Sequence, residues 1–306
     1  YLLGVALLYA VYSTLSIPQL GTLIEPTPAT IVAIVLITLG LLLKTALFPL
    51  HFWLPGAHGN APTPVSAILS GLVVKASFYL LLRLWFGAFA GVLPPGAGNC
   101  LGILGSAAIL WGSLLALRQE RLKLVIAYST VAQIGYFFLL FPLAAAGMPQ
   151  SSGHVDWLNM AGSGALYFML SHGLAKASMF LAAGCIAHAV GSDRLNEISG
   201  IARYLPVSVF AFALAGISLM GLPPSGGFVG KWLMLKAAFV SGQWWWAAVM
   251  NIGGLLAAAY IFMVLKQTVV FRLVDIRFYE VPAGMQWTAL LLALLSLLLG
   301  LSGEAP

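Results

Sequence analysis

The sequence predicts an all-α fold, a polytopic bundle of membrane-spanning helices. Three observations lead there. Of the 306 residues, 61% are hydrophobic and 7% are charged, too few charges to cover the surface of a soluble protein of this length. Several apolar runs reach the ~20 residues that a helix needs to cross hydrocarbon. Within such runs, four lysines, Lys44, Lys75, Lys176 and Lys231, sit near the middle. A lysine at bilayer depth costs at least ~2.5–3.5 kcal/mol on insertion scales, so their presence points to a polar route through or along the membrane rather than to packing.

Taken in order, the apolar runs give nine spans, at about 1–17, 30–54, 64–87, 101–117, 123–146, 159–190, 205–241, 246–267 and 285–302. The sixth is long enough to tilt or bend, and the second and seventh are interrupted. The connections are short, so the chain reads as a single transmembrane domain over 1–306. Alternate span ends define two faces. Arg118, Arg121, Lys123, Arg194, Arg203, Lys266, Arg272 and Arg277 fall on one; Arg83, Glu25, Asp156 and Glu304 fall on the other. The bias of basic residues toward the cytoplasmic side makes the first face cytoplasmic. Residue 1 is Tyr, already inside an apolar run, so the chain reads as lacking its true N-terminus, and no signal peptide is assigned. The end at 302–306 reads as truncated too. Trp244, Trp245 and Trp246 mark an interfacial anchor.

The second span contains Lys44, Pro49, His51 and Trp53. Pro49 has no backbone N–H and clashes with the carbonyl four residues earlier, which leaves carbonyls unpaired close to Lys44. In lipid such groups need protein or water partners, so a hydrated pocket is expected. The seventh span is interrupted by Pro223, Pro224, Gly226, Gly227 and Gly230, and Lys231 follows at once. The two broken spans cross in opposite directions, with the lysine before one break and after the other. Paired interrupted helices related in this way point to an inverted repeat and a transport site.

Between them lie Lys75 and the pair His172 and Lys176, whose i, i+4 spacing puts both on one helical face. Histidine titrates near neutral pH and buried lysines lose affinity for the proton, so such groups can pass protons through intervening water. Weaker candidates are His51, as a pathway entrance, and Lys123 and Lys236, which also fit snorkelling at span ends. His58 falls in a Gly- and Pro-rich stretch and reads as a loop residue. Tyr128, Ser129, Thr130 and Gln133 either bond helix to helix or line water. Cys100 and Cys185 are far apart and form no metal or redox motif. No haem, flavin, iron–sulfur or nicotinamide motif is present, so no cofactor or metal is assigned to the chain, and the scattered basic residues do not form a nucleic-acid surface.

The stretch from Lys44 to Lys75, FPLHFWLPGAHGNAPTPVSAILSGLVVK, resembles the antiporter-like subunits of respiratory complex I, of Mrp-type cation/proton antiporters and of energy-converting hydrogenases. LKLVIAYSTVAQIGYFFL at 122–139, SHGLAKASMFLAAG at 171–184 and GLPPSGGFVGK at 221–231 match that family in the same order. The resemblance implies helices six to fourteen of a fourteen-helix, two-repeat fold: 1–87 the end of the first repeat, 101–270 the second, and 285–302 the terminal helix. It implies that Lys44, Lys75, His172, Lys176 and Lys231 form a hydrated axis, and that Lys44 pairs with a glutamate of the preceding helix, upstream of Tyr1. A second histidine found in some members is Phe168 here. The implied function is proton translocation by a non-redox membrane subunit of a complex I-like or hydrogenase-like assembly, coupled to a reaction in partner subunits. The alternatives are a component of an Mrp-type sodium/proton antiporter and a structural membrane subunit. The implied location is a bacterial or archaeal cytoplasmic membrane.

Overall fold

The structure, a computed structural model, describes residues 1–94, 96–145, 154–270 and 278–301. Arg272, Arg277, Glu304 and the side chain of Asp156, used above to assign the two faces, lie outside the described residues. Among those described the regular elements are all helices, with one isolated antiparallel bridge between Arg121 and Arg194, and seven helices are long and apolar enough to cross a membrane.

The first predicted span, 1–17, holds α1 (Leu2–Tyr12); a second helix, α2 (Ile17–Leu23), starts where that span was expected to end and is bent from α1 by 59°. Ser13 ends α1 in the left-handed region, and Pro18 sits in the first turn of α2, where no N–H partner is required. If the pair counts as one crossing, the spans number eight. α3 (Pro28–Thr45) opens on Thr27, whose hydroxyl caps the Thr30 N–H, and it closes on Ala46 in the left-handed region. α4 (Trp53–Asn60) follows after an irregular stretch containing Pro49. Then α5 (Thr63–Ile68), a π-helical turn over Leu69–Val73, α6 (Val74–Arg83) and a second π turn over Leu84–Ala88 form one 26-residue span.

α7 (Ala97–Leu117) and α8 (Leu122–Phe138) pack backbone to backbone. A Cβ added at Gly105 would lie 2.6 Å from the Gly135 carbonyl, and one added at Gly112 would lie 2.6 Å from the Ala132 nitrogen. Small residues permit this approach where no hydrophobic force drives helices together in lipid. α9 (Leu140–Ala145) extends α8, and α10 (His154–Val190) runs unbroken for 37 residues. The predicted seventh span is two 15-residue helices, α11 (Pro206–Met220) and α12 (Gly226–Val240). Each is about 22 Å long at the α-helical rise of about 1.5 Å per residue, short of the ~30 Å hydrocarbon core. This is why they are absent from the seven. α13 (Trp244–Val269) and α14 (Ala283–Leu301) complete the bundle.

The span that includes α8 is the axis of the fold: 89% of its apolar window is buried, against 17% for α14. α10 packs on α8 and also against α5, α11, α12 and α14. Ser129, Thr130 and Gln133 on α8 and Ser171, His172 and Lys176 on α10 therefore face protein rather than lipid.

Candidate functional site: a buried Lys/His cluster

Lys176 is fully buried on α10. Its ammonium reaches α8, donating to the Ile126 carbonyl at 3.1 Å and to the Ser129 hydroxyl. The Ile126 carbonyl also accepts from Ser129 (2.8 Å) and Thr130 (3.0 Å), and the Thr130 hydroxyl meets that of Ser70 at 3.0 Å. Ser70 in turn gives its carbonyl to the buried ammonium of Lys75. The Ser70 carbonyl belongs to the π turn just before Lys75, where the i→i−4 ladder is interrupted and a carbonyl is free to take a side chain. Lys75 and Lys176, on different spans, thus border one buried polar cluster, to which Ser70 gives its carbonyl (to Lys75) and its hydroxyl (to Thr130). Of the alternatives open for Ser129 and Thr130, direct helix-to-helix bonding is the one observed. Gln133 bonds the Tyr260 hydroxyl at 3.1 Å.

His172 lies one turn from Lys176 and is also fully buried. Its ring packs edge-on to Phe137 (5.5 Å) and tilted against Phe168 (5.7 Å). Neither ring nitrogen has a hydrogen-bond partner among the described residues. It lies within electrostatic reach of Lys75, Lys176 and Lys231. The described acidic side chains, Glu25, Glu120, Asp193, Glu197 and Glu280, all lie in the connections between helices, so among the described residues no carboxylate sits within the cluster.

Lys231 is held at the second break. Its ammonium donates to the Leu219 carbonyl at 2.6 Å and stands 4.2 Å from the ring centroid of Tyr136 and 5.2 Å from that of Phe168. Leu219 is in the last turn of α11, where carbonyls have no helical donors. Gly221 closes that turn with φ +82°, a conformation that favours glycine. A Cβ on Gly230 would lie 2.6 Å from the backbone nitrogen of Phe168; the absent side chain brings α12 onto α10 and so puts Lys231 over the two rings. A cavity of about 580 Å³ between α11, α12 and α13 opens outward beside Lys231.

Lys44 stands apart from this cluster. It is exposed on the outer side of α3, over a shallow cavity lined by Gly40, Leu43, Phe52 and Trp53. The nearby Leu43 carbonyl is taken by the Trp53 indole N–H at 2.8 Å instead. Among the described residues no element covers this face of α3.

His51 is half-buried and stacked on Phe48 at 5.4 Å. Lys123 does not snorkel freely; its ammonium donates to the Ala61 carbonyl at the end of α4 (3.2 Å). Lys236 stands 5.6 Å from the Trp232 ring.

Two features escaped the sequence reading. His58 is not a loop residue. It is fully buried within α4, stacked on Phe180 at 4.6 Å, without a partner for either nitrogen among the described residues, and within electrostatic reach of Lys176 and Lys75. The signal was available: Pro55 is the third residue of α4, a first-turn position that tolerates proline. The second feature is a closed triangle of buried hydroxyls, Ser171, Ser218 and Ser296, at 2.7, 2.8 and 2.9 Å, tying α10, α11 and α14 together behind the second break. Nothing in the sequence relates these three serines.

The family described as NADH:quinone oxidoreductase/Mrp antiporter, TM matches residues 1–257. The chain belongs to that family. Among curated members, the N subunit of the NADH-quinone oxidoreductase of Desulforudis audaxviator is 38% identical over 271 residues, which cover 87% of this chain and 51% of the relative. A component of the Na(+)/H(+) antiporter of Bacillus subtilis is 33% identical over 74% of this chain and 28% of its own length. The chain therefore spans about half the length, or less, of these family members. Among solved structures, the Mrp complex of Dietzia sp. matches with a TM-score of 0.86 at 26% identity, covering 99% of this chain and 62% of its counterpart. Complex I of Thermus thermophilus matches at 0.75 and 30% identity, covering 98% and 62%.

Proposed function

We propose that this chain is a proton-translocating, antiporter-like membrane subunit of a multisubunit complex I-like or hydrogenase-like assembly. The observation that carries the reading is the buried polar cluster of Ser70, Thr130 and Ile126 that holds both Lys75 and Lys176. Buried hydroxyls and carbonyls of this kind serve no apolar core, yet they hold two ammonium groups that bilayer depth would otherwise penalise. In the proposed route a proton passes between Lys75 and Lys176 through local water held by the Ser70, Ser129 and Thr130 hydroxyls, then by His172 to Lys231; the Ser70 and Ile126 carbonyls anchor the two ammonium groups. The unbonded ring nitrogens of His172 suit a water bridge, since buried polar groups are otherwise rarely left without partners. Because the cluster holds positive groups only, protonation of one site disfavours protonation of the next, and that repulsion can drive transfer onward. Lys44 is assigned to the exposed end of the route on the resemblance of its segment alone.

On this reading the protein performs no redox chemistry and depends on partner subunits to drive it. The basic face carrying Arg118, Arg121, Arg194 and Lys266 lies toward the cytoplasm. Lys44→Met and Lys231→Met in the intact assembly each abolish coupled proton translocation while leaving assembly unchanged; vesicle acidification during the driving reaction measures this. Retained coupling in both variants would sink the reading. Membership of an Mrp-type sodium/proton antiporter is the second reading, supported by the 0.86 TM-score with the Mrp complex. Sodium-dependent proton movement without any redox partner is its signature.

A further inference from the structure

The half-helix α4, which carries His58, ends under two cations. Arg121 donates from Nη2 to the Gly59 carbonyl at 3.1 Å, and Lys123 donates to the Ala61 carbonyl at 3.2 Å. The last carbonyls of a helix lack internal donors and carry its negative partial charge, so this placement satisfies both needs. Arg121 does more than cap. Its Nε donates to both oxygens of Asp193, at 3.0 and 3.1 Å. Asp193 lies just past the end of α10, and backbone bonds fix it there: Leu122 N–H to the Asp193 carbonyl (2.7 Å) and Leu195 N–H to the Glu120 carbonyl (2.8 Å). Only a planar, multi-donor guanidinium can serve the carboxylate and the carbonyl from one side chain in this way.

The guanidinium therefore links the end of α10 to the residue next to His58. The His58 ring rests on Phe180, one turn beyond Lys176 on α10, and the His58 carbonyl accepts from Ser66 at 3.3 Å. We infer that Arg121, oriented by Asp193, is a positioning residue for proton transfer: it holds the end of α4 at the separation from α10 that keeps His58 within reach of Lys176 and Lys75. As a surface ion pair, with 42% and 15% of the two side chains exposed, the contact is a weak stabiliser; its consequence is geometric. The inference rests on the proposed proton route and adds to it His58, whose two buried ring nitrogens have no partner among the described residues, as a relay group beside Lys176.

The test uses the full chain in its native membrane assembly, with proton translocation followed in sealed vesicles while the driving reaction runs. Arg121→Gln and Asp193→Asn assemble normally and lower translocation on the order of tenfold, in keeping with misplacements of about 1 Å that cost up to on the order of a hundredfold. Arg121→Lys, which keeps a cation near Gly59 but loses the fork, falls between. His58→Phe lowers translocation by itself, and adding Arg121→Gln to it changes nothing further, because a positioning residue acts only through the group it positions. Normal translocation in Arg121→Gln and Asp193→Asn, normal translocation in His58→Phe, or independent losses in the double variant overturns the inference. If Arg121→Gln does not assemble, Asp193→Asn and Arg121→Lys carry the test. Lys176→Met separates the two levels: if it translocates normally, the proton route itself fails; if it does not while the Arg121 and Asp193 variants do, only the positioning role fails.

Discussion

The two broken helices share a sequence signature and differ in what their lysines do. At the second break the freed carbonyl of Leu219 takes Lys231 itself, two aromatic rings stand beneath the ammonium, and the hydroxyl triangle of Ser171, Ser218 and Ser296 buttresses the interruption. At the first break the Leu43 carbonyl, which already accepts from the Ala46 N–H at 3.1 Å, also takes the Trp53 indole, and Lys44 is left exposed. Proline beside lysine therefore specifies an interruption and a set of free acceptors. It does not specify which donor fills them. At the second site the donor is decided by Gly230, whose lack of a side chain lets α12 close on α10. The first site is filled by a tryptophan ten residues after the carbonyl it bonds.

The largest expected difference between the breaks is chemical access. In a background lacking the exposed Cys100, Lys44→Cys reacts with a membrane-permeant maleimide at least about tenfold faster than Lys231→Cys, because thiol reactivity follows exposure. Equal rates would erase the contrast. Next, Gly230→Ala destabilises the protein by about 1–3 kcal/mol, the usual cost of forcing atoms into a packed contact, while Gly56→Ala at the first broken helix, where an added Cβ meets nothing within 4 Å, stays within about 0.5 kcal/mol. Thermal unfolding in detergent compares the two. Smallest is Trp53→Phe, which removes the N–H to the Leu43 carbonyl and costs about 0.5–1.5 kcal/mol. A loss above that range would mean that the indole braces more of the first break than one carbonyl.

Much of the fold was legible because lipid imposes simple rules. Length and apolarity marked the spans, and Pro49, Pro223 and Pro224 marked the interruptions. Boundaries failed where a helix end depends on something other than hydropathy. The bend after Tyr12 needs Ser13 in the left-handed region, which no apolar run announces. The site was legible in part. The i, i+4 spacing of His172 and Lys176 survives as a shared buried face. His58 was hidden by flanking glycines and prolines that suggested a loop, although Pro55 sits where a helix accepts it.

The sequence alone determined that the protein lies in a membrane, where prolines interrupt its helices, and which helices carry cations, because a charge in an apolar run is costly wherever it occurs. The tertiary structure alone decided which of those cations meet. Hydrogen bonds act over about 3 Å, and only the packing of α8 between its neighbours brings Ser70, Thr130, Ile126 and Lys176 that close, while leaving Lys44 outside.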